Sequence, residues 1–101
     1  MTEIELNSWI FLAIALATNT APTDINGISL VADGINHSIP TQKELQTSIS
    51  WLNKNELILK QAKNYQLTLI GKHEYEIASK NEDSLSNVWS NIQLRFNQYY
   101  R

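Results

Sequence analysis

The chain has 101 residues, 43% hydrophobic and 18% charged, with a formal net charge of −2. That suffices for one folded domain with a single modest core, residues 1–101, and is too apolar for a disordered chain. There is no cysteine, which excludes disulfides and thiol chemistry and fits a reducing, cytoplasmic setting.

The first predicted element is a helix from about Glu5 to Asn19, apolar nearly all round through Trp9, Ile10, Phe11, Leu12, Ile14 and Leu16. Its apolar run, Trp9–Ala17, is nine residues, far short of the roughly 20 that span a bilayer. Glu3 and Glu5 stand where a secretory leader carries positive charge, so neither leader nor membrane partner is expected. A helix of this kind is central to a small core, or is half covered by a second subunit. "NTAPTD" breaks the pattern. A second helix, about Thr23 to Asn36, follows with Ile25, Ile28, Ala32 and Ile35 at helical spacing and Thr23 or Asp24 as N-cap.

Thr41 and Glu44 form the T-x-x-E capping-box pattern and open a third helix, about 41–54. Leu45, Ile49 and Leu52 define its inward stripe, and Asn53 or Asn55 offers a left-handed terminus. Leu57 to Lys60 reads as a strand, "QAKN" as a turn and Tyr65 to Leu69 as the returning strand, a hairpin over about 57–69. Thr68 caps a helix over "LIGKHEYEIASK". Asp83 or Ser84 caps the last one, about 84–100, whose stripe is Leu85, Val88, Trp89, Ile92, Phe96 and Tyr99. A lone hairpin is unstable and must lie on the helices. The expected fold class is therefore mainly α with a small β-hairpin, flanked by additional N- and C-terminal helices.

Residues 41–76, "TQKELQTSISWLNKNELILKQAKNYQLTLIGKHEYE", resemble a winged helix-turn-helix domain of the MarR-like and PadR-like regulators. In those families a recognition helix ends in leucine, a short turn leads to a Leu-Ile strand start, and the wing returns through Tyr-x-Leu-Thr-x-x-Gly. Leu52, Leu57, Ile58, Tyr65, Leu67, Thr68 and Gly71 occupy those places. Two departures stand out. Glu56 replaces the glycine that many such regulators carry before the Leu-Ile pair, and the recognition helix and wing contain no arginine. The resemblance implies a non-enzymatic DNA-binding protein, a transcriptional regulator working as a homodimer. The alternative it leaves open is a winged-helix protein-interaction module that does not bind DNA.

With the stripe inward, the outward positions of the third helix are Lys43, Gln46, Thr47, Ser50 and Lys54, with Gln42 and Asn53 on the flank. Gln and Asn read adenine, Lys reads guanine or neutralises phosphate, and Thr or Ser does either. An ordinary solvated helix has the same composition, as does a protein-binding face. The candidate DNA-binding residues are thus Gln42, Lys43, Gln46, Thr47, Ser50 and Lys54, joined by Lys60 and Lys63 of the wing. Residues 34–73 carry five lysines against Glu44 and Glu56, a local net of +3 in an acidic chain. That balance implies weak, salt-sensitive contact with double-stranded DNA. Trp89, Ile92, Phe96 and Tyr99 form an aromatic stripe expected either to pack within the chain or to make the dimer interface. His37 and His73 lack metal-ligand spacing, and no phosphate loop or nucleophile motif is present, so no metal, cofactor or catalytic residue is expected.

Overall fold

The computed structural model describes residues 1–100. It is mainly helical with one antiparallel hairpin, in the order α1 (Glu3–Ala17), α2 (Ile25–Asn36), α3 (Gln42–Lys54), β1 (Ile58–Gln61), β2 (Asn64–Leu67), α4 (Leu69–Ser79) and α5 (Leu85–Phe96), closed by a 3-10 turn (Asn97–Tyr100). No helix among the described residues is long and apolar enough to cross a membrane.

Local side chains set the helix starts. Thr41 and Glu44 make the expected capping box, with Glu44 N–H donating to Thr41 Oγ1 at 3.1 Å and Thr41 N–H to Glu44 Oε1 at 2.8 Å. Thr2 and Glu5 make the same box on α1, which therefore starts at Glu3, ahead of the expected Glu5. Asp24, of its two candidates, caps α2 by accepting from Gly27 N–H at 3.0 Å. Ser84 caps α5.

The core forms around α1. Asn7 through Ala15 are buried without interruption, and α1 touches α2, α3, β2, α4 and α5. Of the two ways to cover an all-round apolar helix, the chain uses its own elements. Polar atoms inside are largely paired: Trp9 Nε1 donates to Ala32 O at 2.9 Å, and Trp89 Nε1 donates to Ser8 Oγ at 2.9 Å. An unpaired indole N–H in such a core would cost about 1–3 kcal/mol.

The hairpin is short, pairing Ile58 with Leu67 and Gln61 with Asn64. It sits one to two residues away from the expected strand ends. Two devices hold it to the helices. Thr23, just before α2, bridges Tyr65: Tyr65 N–H donates to Thr23 O at 2.7 Å and Thr23 N–H returns a bond to Tyr65 O at 3.2 Å. Thr68 ties the other end, donating its hydroxyl to Glu56 O at 2.6 Å and accepting from Gly71 N–H at 3.0 Å.

The turn between α3 and β1 corrects one expectation. Asn55 has φ −90°, and the left-handed residue is Glu56, at φ 61°. Left-handed backbone costs a residue with a Cβ roughly 1–2 kcal/mol, and glycine gives back roughly 0.5–1 kcal/mol through its freer unfolded chain. Glu56→Gly is accordingly expected to stabilise the fold by about 0.5–1 kcal/mol, read as a higher urea midpoint. An unchanged or lower midpoint contradicts this account of the turn.

Candidate functional site

The outer face of α3 follows from what the helix buries. Leu45, Ser48 and Leu52 are the buried positions, while Ile49, expected inside, is only partly covered. The inward stripe is therefore rotated from Leu45–Ile49–Leu52 toward Ser48, because α3 lies against α1 on that side. Ile49 is left at the margin of a surface groove.

All eight candidate contact residues, Gln42, Lys43, Gln46, Thr47, Ser50, Lys54, Lys60 and Lys63, are exposed. The fold brings five of them together. A groove of about 410 Å³ between α3 and the hairpin is lined by Gln42, Gln46, Ile49, Ser50, Asn53, Lys60, Tyr65 and, from α2, Ile25. A second one of about 370 Å³ shares Ile25, Lys60 and Tyr65 with it and extends to Asp24, Asn26 and Lys63. Lys43, Thr47 and Lys54 do not line these grooves. At about 100° per residue they fall on the opposite edge of the exposed face. The α3 surface thus has two edges, carboxamides beside the hairpin and lysines away from it.

Electrostatics at this face are mild. Glu44 is folded back on the Thr41 N–H, and Asp24 caps α2, so each carboxylate has an intrachain donor. Lys60 holds its ammonium 5.6 Å from the centroid of the Tyr65 ring, across the strand pair. Lys63 is at the hairpin tip beside Ala62, whose φ of 57° makes the sharp reversal. Asn53, Ile49, Ile25 and Tyr65 belong to the groove although they were not among the eight. Asn53 was legible from its flank position, whereas Ile25 and Tyr65 reach the groove only through the Thr23–Tyr65 bridge.

The aromatic stripe of α5 packs in large part against its own chain. Ile92 and Phe96 are 1% and 0% exposed within the chain. Trp89 is committed to the Ser8 hydroxyl and the Glu5 carbonyl. Tyr99 donates to Glu74 Oε2 at 2.7 Å, and Arg95 pairs with the same carboxylate. Burial, reinforced by that carboxylate, pushes the Tyr99 phenol well above the usual tyrosine range and keeps it a donor. Of the four residues expected at an interface, Ile92 and Phe96 are buried within the chain and Trp89 and Tyr99 are partly covered, while the 3-10 turn folds back and stacks Tyr100 on Trp51 with centroids 5.1 Å apart.

Elsewhere, a groove of about 420 Å³ lies between the end of α1, the Thr18–Pro22 loop, β2 and α4. His37 is the left-handed C-cap of α2, and His73 is exposed on α4. No group of three or more His, Asp or Glu among the described residues is placed to hold a metal ion. Comparison with protein-family models, with curated proteins and with solved structures found no match.

Proposed function

We propose that this chain is a winged helix-turn-helix protein whose function is to bind double-stranded DNA. In this reading α3 is the recognition helix, the β1–β2 hairpin is the wing, and regulation of transcription in the cytoplasm is the setting. The observation that carries the reading is the continuous polar surface formed by the exposed side of α3 and the hairpin lysines, next to grooves shared by both elements. Helix and hairpin are held in fixed relation by Thr23–Tyr65 and Thr68–Glu56. An α-helix presenting amides and hydroxyls enters a major groove, while lysines at its far edge and on the hairpin lie near phosphates.

Binding to a mixed-sequence duplex is expected at about 50 mM salt and to weaken steeply by about 200 mM. Lys43→Ala combined with Lys54→Ala is expected to reduce the slope of log affinity against log salt by roughly 2, one unit for each lost phosphate contact. No binding at the lower salt, or a slope untouched by the double substitution, overturns the reading. A protein-interaction module on the same fold is the competing reading. Its support is the exposed apolar side of α4, where Leu69, Ile70 and Ile77 are 84%, 47% and 42% exposed. A homodimer would draw on that surface or on the parts of Trp89 and Tyr99 that the chain leaves uncovered.

A further inference from the structure

We infer that the groove between α3 and the hairpin selects A·T over G·C base pairs, with Gln42, Gln46 and Asn53 reading adenine and Ile49 receiving thymine methyl groups. The inference rests on the DNA-binding reading and specifies what that face recognises.

The first argument is placement. Gln42, Gln46 and Asn53 recur at +4 and +11, close to whole numbers of helical turns, so they lie in one row along α3. All three are exposed and all three line the groove. At about 1.5 Å per residue the row is roughly 16 Å long, which matches about five base pairs at ~3.4 Å each. The intrachain side-chain hydrogen bonds of this segment belong to Thr41, Glu44 and Asn55, the last donating to Trp51 O at 2.9 Å. None of them engages the row.

The second argument is chemical complementarity. A carboxamide presents one donor and one acceptor side by side. Adenine offers the matching pair in the major groove, an N6 donor and an N7 acceptor. Guanine offers two acceptors, N7 and O6, which leaves the amide oxygen facing an acceptor. Guanine is best read by a paired cationic donor, and arginine is absent from α3 and from the hairpin. Arg95, the single arginine among the described residues, is paired with Glu74 on the α4–α5 side. The lysines of α3 are on its other edge, and Lys60 is drawn to the Tyr65 ring. Ile49, half-covered beside the row, adds an apolar surface that fits a thymine methyl and gains nothing from cytosine.

The test compares two duplexes of about 20 base pairs, equal in length and charge, by fluorescence anisotropy at about 50 mM salt. One is A·T-rich in mixed order without runs, so that no stiff, narrow-groove tract forms; the other is G·C-rich. The A·T duplex is expected to bind at least roughly tenfold tighter. Replacing its adenines by 7-deazaadenine and its thymines by uracil removes N7 and the thymine methyl, leaves charge and the minor-groove acceptors unchanged, and should bring affinity down to the G·C level. Gln46→Ala should lower A·T affinity by about tenfold with G·C affinity unchanged, and Gln46→Arg should raise G·C affinity. Unaltered circular dichroism confirms that these surface variants are folded. Equal affinity for both duplexes overturns the inference and leaves DNA binding standing. So does a preference that survives both replacements together, since it would come from minor-groove shape. Failure of both duplexes to bind overturns the DNA-binding reading and this one with it.

Discussion

Gly71→Ala is expected to lower stability by about 3 kcal/mol, the upper end of what overpacking costs, and the melting temperature by roughly 10–20 °C. An alanine Cβ at this position would stand 2.1 Å from the Leu57 carbonyl oxygen and 3.1 Å from its carbon. The obstructing atoms are backbone, and they are pinned. Leu57 O accepts from Thr68 N–H at 3.1 Å, and Leu57 N–H donates to Leu52 O at 3.0 Å. Leu57 is itself fully buried. Relief therefore requires α4 to move off the hairpin, which breaks the Thr68 cap of α4 as well. The sign of the effect is the test. Within an unobstructed helix alanine is about 1 kcal/mol better than glycine. Gly34 on α2 provides that contrast, because nothing lies within 4 Å of a Cβ built there. Gly34→Ala should raise stability by about 0.5–1 kcal/mol. Thermal unfolding of the two variants should move in opposite directions, and a stabilising Gly71→Ala would refute the close approach of α4 to Leu57, just before β1.

Phe96→Ala is expected to cost about 3–5 kcal/mol, as for other fully buried aromatic truncations. Phe96 is 0% exposed. Its ring meets Phe11 edge-on at 5.1 Å, Trp51 at 5.3 Å and Tyr99 at 5.7 Å. Its removal leaves a cavity where α1, α3 and α5 meet and loosens the 3-10 turn, whose Tyr100 hydroxyl accepts from Asn7 Nδ2 at 2.6 Å. The measurement also separates core from interface. A residue buried within one chain lowers the unfolding midpoint by the same amount at about 5 µM and about 500 µM protein. A residue buried between two chains lowers it by an amount that depends on concentration. An equal shift at both concentrations is expected here, and a shift that differs between them would return Phe96 to a dimer interface.

Most helix starts are legible in the sequence through their capping residues. Thr41–Glu44, Thr68 and Ser84 act within four residues, so the chain order alone puts donor and acceptor in reach. Thr2–Glu5 carries the same pattern and was equally readable. Gly71 was recognisable as a point of close approach through its place in the Tyr-x-Leu-Thr-x-x-Gly segment. The exposure of the eight α3 and hairpin residues was legible too, because an amphipathic helix with a defined apolar stripe leaves little choice for its other side.

Other features have no local signature. Thr23 and Tyr65 are joined by two backbone hydrogen bonds across the whole of α2, α3 and β1, and backbone groups carry no side-chain pattern that names a distant partner. Glu56, with φ 61°, shows that a left-handed position can be held by a residue with a Cβ when the flanking elements are anchored. Ser48 in place of Ile49 shows that periodicity gives the existence of a buried stripe and leaves its rotation to the neighbouring helix. Trp89, Ile92, Phe96 and Tyr99 show the same limit at larger scale. Spacing of apolar residues states that a face must leave water, since burial is non-directional and rewards area alone. How much of that face α1 of the same chain covers depends on how five helices pack in space, and here α1 and the folded-back C-terminal turn bury Ile92 and Phe96 and leave Trp89 and Tyr99 partly covered.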